Sequence, residues 1–267
     1  PAYQNPMLSY QHIYHAGNLA DVQKHALLAS AIQYMTAKDK PLTYIETHAG
    51  RGVYDLSSEP ALKTGEAAAG ITMAETANWF APDHPYARAL GATRRTYGAT
   101  AYPGSPLVAA NLLRDSDQMV LSELHPQEHQ GLLNAMSPYP ARIFQQDGFE
   151  MAQAQCPPTP RRGLMLIDPS YEIKTDYDLI PGQIAKLHRK WNVGVILLWY
   201  PVLTSGAHHP MVFALKQQNL PKLMIHEVKF PPARKGHGMI GSGMAIINTP
   251  YGLSDETARL TALFKTL

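Results

Sequence analysis

The chain has 267 residues, 45% of them hydrophobic and 16% charged, with 23 Lys and Arg against 21 Asp and Glu. That is ordinary globular composition, and at this length roughly 70–75% of the unfolded chain's surface is buried on folding, enough for a core without cross-links. The lone Cys156 excludes an internal disulfide, and a formal net charge of +2 excludes coating of nucleic acid by total charge alone.

Residues 1–6 have neither the positive region nor the apolar run of a signal peptide and are read as an addition ahead of a start at Met7. No apolar run reaches the ~18 residues of a membrane span, so a soluble, cytoplasmic protein is expected. A helix is expected at 21–38, where Val22, Ala26, Ala29 and Ile32 share a face. Strands are expected at 42–46, 119–123, 142–145, 164–168, 193–199, 223–230 and 243–248, with helix-forming stretches between most of them. This alternation predicts an α/β fold with a parallel sheet covered on both faces. The last two strands are joined by Pro231-Pro-Ala-Arg-Lys-Gly-His-Gly-Met-Ile-Gly-Ser242, too short for a crossover helix, and should pair antiparallel. The gap from Glu46 to Glu123 is more than twice the ~30 residues of a βαβ unit. Helices expected at 67–80 and 86–97 place an inserted helical subdomain at 53–103, rejoining at the turn Tyr102-Pro-Gly-Ser-Pro106. Residues 7–52 and 104–267 then form the main domain.

Open parallel sheets bind ligands at the carboxyl ends of their strands, so those ends carry the functional reading. The first ends in Glu46-Thr-His-Ala-Gly-Arg-Gly52, an acid followed by small residues, Gly50 among them, that let a ligand approach the backbone. The second ends in Glu123, an acceptor suited to ribose hydroxyls, and the third in Asp147-Gly148, an acceptor and a small residue suited to a ring. The fourth ends in Asp168-Pro169-Ser170-Tyr171. An adenine N6 is a poor nucleophile because its lone pair is delocalised into the ring. Two acceptors, the Asp168 carboxylate and the Pro169 carbonyl, would hold its hydrogens and favour the attacking form, with Tyr171 stacked on the base. Read alone, the tetrapeptide also fits a turn in which the Asp caps the chain and the Tyr covers the core.

Six segments carry a resemblance. Met7-Leu-Ser-Tyr-Gln-His-Ile-Tyr-His-Ala-Gly-Asn-Leu-Ala-Asp-Val-Gln-Lys-His25, Glu46-Thr-His-Ala-Gly50, Tyr102-Pro-Gly-Ser-Pro106, Glu123-Leu-His-Pro126, Asp147-Gly-Phe149 and Ile167-Asp-Pro-Ser-Tyr-Glu172 together resemble the RlmJ family of bacterial 23S ribosomal RNA adenine-N6 methyltransferases. The resemblance implies a Rossmann-like class I methyltransferase with a seven-stranded, mostly parallel sheet. It also implies a helical insertion, S-adenosyl-L-methionine as cofactor and one adenine of naked 23S ribosomal RNA as substrate; direct transfer from a sulfonium needs no metal, and a monomer is expected. Position by position it implies cofactor or active-site roles for Lys24, His25, His48, Ser105, Glu123, Asp147, Gly148 and Asp168, and contact of Tyr10 with the target nucleotide. The family's usual Asp-Pro-Pro-Tyr is here Asp-Pro-Ser-Tyr. Ser170 frees φ and restores an N–H, so a less rigid loop is expected.

The expected chemistry is direct, in-line methyl transfer to an adenine that is unpaired or flipped out of its helix. Arg94, Arg95, Arg234 and Lys235 are expected to contact phosphates, being placed to overhang the carboxyl side of the sheet; Arg161-Arg162 and His188-Arg189-Lys190 read as solvated faces rather than binding patches. His125-Pro-Gln-Glu-His129 matches an inverted zinc-protease pattern, but no third ligand is in sight and Pro126 suits the first turn of a helix. DNA adenine methylation, and a protein that binds cofactor and RNA without turnover, are the alternatives.

Overall fold

The structure, a computed structural model, describes residues 12–172, 175–234 and 236–267; Tyr10 and Lys235 lie outside these. In chain order the elements are α1 (Leu19–Thr36), β1 (Thr43–Glu46), β2 (Val53–Asp55), α2 (Glu59–Thr64), a π-helical turn at Ala68–Thr72, α3 (Met73–Thr76), α4 (Pro85–Tyr97) and β3 (Ala101–Pro103). There follow α5 (Ser105–Ala110), β4 (Gln118–Ser122), α6 (Pro126–Met136), β5 (Arg142–Phe144), α7 (Gly148–Gln155), β6 (Gly163–Ile167) and α8 (Asp176–Lys190). The chain finishes with β7 (Val195–Leu203), α9 (His209–Gln217), β8 (Met224–Lys229), β9 (Met239–Ile247) and α10 (Leu253–Phe264).

The seven expected strands form one sheet in the order β5-β4-β1-β6-β7-β9-β8. β5, β4, β1, β6 and β7 are parallel, and β9 runs antiparallel to both β7 and β8. β1 and β6, at the centre, are buried at every position, as strands covered on both faces must be. One hydrophobic cluster joins the sheet to α1, α4 and α10, and a second packs α7, α8 and α9 on the other face.

Two features depart from the sequence reading and both bear on the site. α1 was expected to bury one apolar face. It is buried nearly all round, Asp21, Gln23, Lys24 and His25 included, because α4 and α10 pack on it as well as the sheet. Its first turn is capped by the Asn18 side chain, which accepts from Asp21 N at 2.9 Å. Second, β7 continues past Trp199 to Leu203, paired with β9 back to Met239 across a bulge at Val202/Leu203.

Residues 53–103 contain α2, α3 and α4, closed at the base by a two-stranded antiparallel ribbon of β2 and β3 that periodicity did not reveal. Three-residue strands are too short to show a period. The segment shares its core with the sheet: Ile71, Tyr86 and Leu90 join the cluster that holds α1, and Ile71 N donates to Gly17 O at 2.8 Å. Among the described residues no helix is long and apolar enough to cross a membrane.

Candidate active site

Because β5, β4, β1 and β6 are sheet neighbours, their carboxyl ends stand side by side. They open on a cavity of about 480 Å³ lined by Thr47–Gly50 after β1, by Glu123 and His125 after β4, by Asp147 and Gly148 after β5 and by Asp168–Ser170 after β6. α1 closes one side with Asp21, Lys24 and His25, and Trp199, Pro201 and Leu203 of β7 line another.

The loop after β1 is shaped by its glycines. Gly50 has φ +61, which a side chain rarely tolerates, and its N–H donates to Glu123 Oε2 at 2.8 Å. His125 N donates to Glu123 Oε1, also at 2.8 Å, so both carboxylate oxygens are oriented by backbone. Burial pushes the Glu123 carboxyl up, with these two N–H groups opposing it. Asp147 caps α7 by accepting from Glu150 N at 2.9 Å. Gly148 follows because a Cβ there would sit 2.0 Å from Thr47 O. His48 accompanies them, its ring bonded to Thr47 Oγ1 at 2.7 Å and set edge-on to Phe149.

Deeper in, Glu46 at the end of β1 is fully buried between two hydroxyls. Tyr44 OH donates to Oε2 at 2.7 Å and Ser105 Oγ donates to Oε1. Burial pushes its carboxyl up to about 8, the two hydroxyls only partly countering. Ser105 lies in the first turn of α5, which its cap Gly104 and Pro106 start. His25, beside it, bonds Tyr102 OH at 2.9 Å, and burial lowers its pKa to about 3.

At the end of β6, Lys24 Nζ donates to Asp168 Oδ2 at 2.6 Å and to Asp21 Oδ1 at 2.9 Å. Asp21 in turn accepts from Gly17 N at 2.9 Å and pairs with His12 at 2.9 Å. Burial works against the Lys24 charge, but Asp168 and Asp21 outweigh it and hold the ammonium above its usual range. No spacing rule joins Lys24 to Asp168, which lie 144 residues apart; only the packing of α1 across β6 does.

Two expectations are revised, those for Tyr171 and for Arg94 with Arg95. Tyr171 does not line the cavity. Its backbone is left-handed, φ +54, and the ring turns into the core, stacked on Tyr177 at 4.6 Å with its hydroxyl donating to Trp199 O at 2.7 Å. Of the two readings of the tetrapeptide, the structure thus gives Tyr171 the core-covering one. Arg94 holds Glu75 with both terminal nitrogens, at 2.6 and 2.9 Å, and neither it nor Arg95 lines the cavity. Arg234 is exposed and close enough to His15, a cavity residue, to act on its charge. His125 caps α6, accepting from Gln127 N and Glu128 N, and Glu128 is occupied by Arg51. Among the described residues no group of three or more His, Cys, Asp or Glu is placed to hold a metal ion.

The mostly parallel seven-stranded sheet with helices on both faces is the fold of class I methyltransferases. The METTL16 methyltransferase domain shares the fold, at TM-score 0.50 and 9% identity over 86% of this chain and 68% of that one. Residues 39–266 match the family model described as "Ribosomal RNA large subunit methyltransferase D, RlmJ", and the chain belongs to that family. It is 40% identical to Ribosomal RNA large subunit methyltransferase J of Escherichia coli K12, over 94% of this chain and 90% of that protein. It is 38% identical to the protein of the same name from Haemophilus influenzae, over 98% and 94%. A crystal structure of a Legionella pneumophila protein superposes with TM-score 0.84 at 34% identity, covering 94% of this chain and 93% of that one.

Proposed function

We propose that this chain methylates the N6 of one adenine of 23S ribosomal RNA in the cytoplasm, using S-adenosylmethionine and acting as a monomer. The observation that carries the reading is Asp168, held by Lys24 at the end of β6 on the wall of a cavity whose other strand ends suit a nucleoside.

The donor set fits the cofactor. Glu123, its oxygens already oriented by Gly50 N and His125 N, would accept from a ribose diol. Asp147 and Gly148 offer an acceptor and a backbone without side chain beside an adenine ring. Ser105, His25 and Lys24 supply polar groups for an amino-acid end, and a volume of about 480 Å³ is in the range of small-molecule sites. When bound, S-adenosylmethionine supplies an electrophilic methyl group on a sulfonium.

The protein's part is positioning and electrostatics. Lys24 occupies Asp168 Oδ2, and Oδ1 is assigned to one N6 hydrogen of the target adenine; the Pro169 carbonyl takes the other. Those two acceptors localise the nitrogen lone pair and stabilise the positive charge that grows on N6 as the new bond forms. The Lys24 ammonium fixes the carboxylate's orientation and cannot take a proton from N6, so the proton leaves by way of Asp168 or water. A paired adenine cannot reach this depth, which requires the base to be extruded. Arg234, with Lys235 and Tyr10 beyond the described residues, is assigned to the RNA strand at the mouth. Arg94 and Arg95 would join them only after the Glu75 pair opens.

The test is transfer of labelled methyl to protein-free 23S ribosomal RNA, followed by digestion to nucleosides. N6-methyladenosine is the expected product. Label in another nucleoside, in DNA only, or in neither while cofactor binds, overturns the reading.

A further inference from the structure

With Tyr171 turned into the core, the cavity wall beside Asp168 lacks the aromatic face expected of it, and β7 supplies another. Strand periodicity puts Trp199, Pro201 and Leu203 on one face of β7, and all three line the cavity; Tyr200 and Val202, between them, join the core on the opposite face. These residues are there because β7 overruns the carboxyl edge of its parallel neighbours, braced by β9 through the pairs Pro201↔Ser242 and Leu203↔Met239. Met239 lines the cavity too. The overrun is therefore a shelf with an apolar upper face.

The Trp199 ring is fixed. Its Nε1 donates to Ser242 Oγ at 2.8 Å, and the edge of Tyr171 meets it at 6.0 Å between centroids. It is only half-buried, whereas Trp79 and Trp191 are fully inside. Lys24 Nζ, 5.5 Å from the ring centroid, is the same atom that lies 2.6 Å from Asp168 Oδ2, so the ring and the carboxylate share one ammonium as neighbour. An aromatic surface next to the amino-orienting carboxylate, walled by a proline, a leucine and a methionine, is built for a flat base whose edge must meet that carboxylate.

We propose that Trp199 is the residue on which the target adenine stacks, with Pro201, Leu203 and Met239 completing its slot. The proposal rests on the methyltransferase reading above and adds the residue that receives the base. A base–aromatic stack corresponds to about a 5- to 150-fold change in binding. The Ser242 bond sets the ring's tilt, so a phenylalanine, which keeps a stacking face but loses that bond, retains part of the effect.

Two measurements test it. In the first, tryptophan emission is followed with saturating S-adenosylhomocysteine while adenosine, or uridine as control, is added. Adenosine is expected to quench wild type and to leave Trp199→Phe unchanged; equal quenching in both would overturn the proposal, because the signal would then come from Trp79 or Trp191. In the second, steady-state methyl transfer to protein-free 23S ribosomal RNA is measured for Trp199→Ala and Trp199→Phe. The alanine variant is expected to raise KM for RNA at least 5-fold with cofactor affinity within twofold of wild type, and the phenylalanine variant to fall between. Unchanged KM, or a loss confined to cofactor affinity, would overturn it. Failure of wild type itself to methylate RNA would instead overturn the functional reading, so the two failures are distinct.

Discussion

Asp168 follows β6 and Glu46 ends β1, its neighbour in the sheet; Asp168 lines the cavity half-buried, Glu46 is fully buried and does not line it, and their surroundings differ in kind. Asp168 meets a cation, Lys24, which is itself shared with Asp21 and through it with His12. Glu46 meets only the hydroxyls of Tyr44 and Ser105, and burial lifts its pKa to about 8. In the proposed function the first carboxyl accepts hydrogens from a ligand. The other holds its proton at neutral pH and serves as a hub between two hydroxyls. The sheet supplies the position in both cases, and the helix packed over the strand end decides the partner: α1 brings Lys24 to β6, while α5 brings Ser105 to β1.

Breaking the ionic side should have the largest effect. Lys24→Met leaves buried Asp21 and half-buried Asp168 without their common cation, and removing one member of a buried pair costs about 3–5 kcal/mol. Urea denaturation at pH 7 should show a loss of that order; a loss under 1 kcal/mol would mean that water, rather than Lys24, satisfies the two acids. Asp168→Asn keeps an acceptor oxygen and the side chain's shape but removes the charge facing N6. Single-turnover transfer at saturating cofactor should fall about 10²–10³-fold, the scale of losing one preorganised electrostatic contact. A rate within tenfold of wild type would assign the orienting role to another group.

The succession of strands along the chain and the four acidic or glycine-bearing strand ends were legible because each is a local signal: an apolar run, then a small or acidic residue at its carboxyl end. Charge state was not legible, because it depends on contacts such as Lys24 with Asp168 and Ser105 with Glu46 that span 144 and 59 residues. Tyr171 was misplaced for the same reason. A left-handed φ at that position reverses the ring's direction, and nothing in Asp-Pro-Ser-Tyr announces it. The overrun of β7 was missed because Tyr200-Pro-Val-Leu203 contains a proline, which argues against strand continuation. Pro201 is tolerated because the pairing with β6 ends at Ile167↔Leu198, so that β7 is an edge strand there, paired on one side with β9.

The Glu46 side is sharpened by pH. Its carboxyl titrates near 4.5 when the chain is unfolded and near 8 when folded, so between those values the native state holds a proton that the unfolded state has released. Stability therefore falls as pH rises through this window, and the full penalty is present above about 8. Glu46→Gln mimics the protonated carboxyl and does not titrate. The variant should match wild type near pH 4.5 and exceed it by up to a few kcal/mol at pH 9, as read from urea midpoints at pH 5, 7 and 9. Parallel profiles for the two proteins would place the titrating group elsewhere.

The smallest effect separates the two hydroxyls on that carboxyl. Tyr44→Phe and Ser105→Ala each remove one donor from Glu46, and each should cost about 1–3 kcal/mol of stability, the range for one buried polar atom left without its partner. They differ in what else they touch. Ser105 lines the cavity and Tyr44 does not, although both are buried and both bond the same carboxyl. Calorimetric titration with S-adenosylhomocysteine should therefore find weaker binding in Ser105→Ala and unchanged binding in Tyr44→Phe. Equal weakening in both would mean that the cofactor senses Glu46 itself, through the position of β1's carboxyl end, and that the serine contributes only as the carboxyl's neighbour.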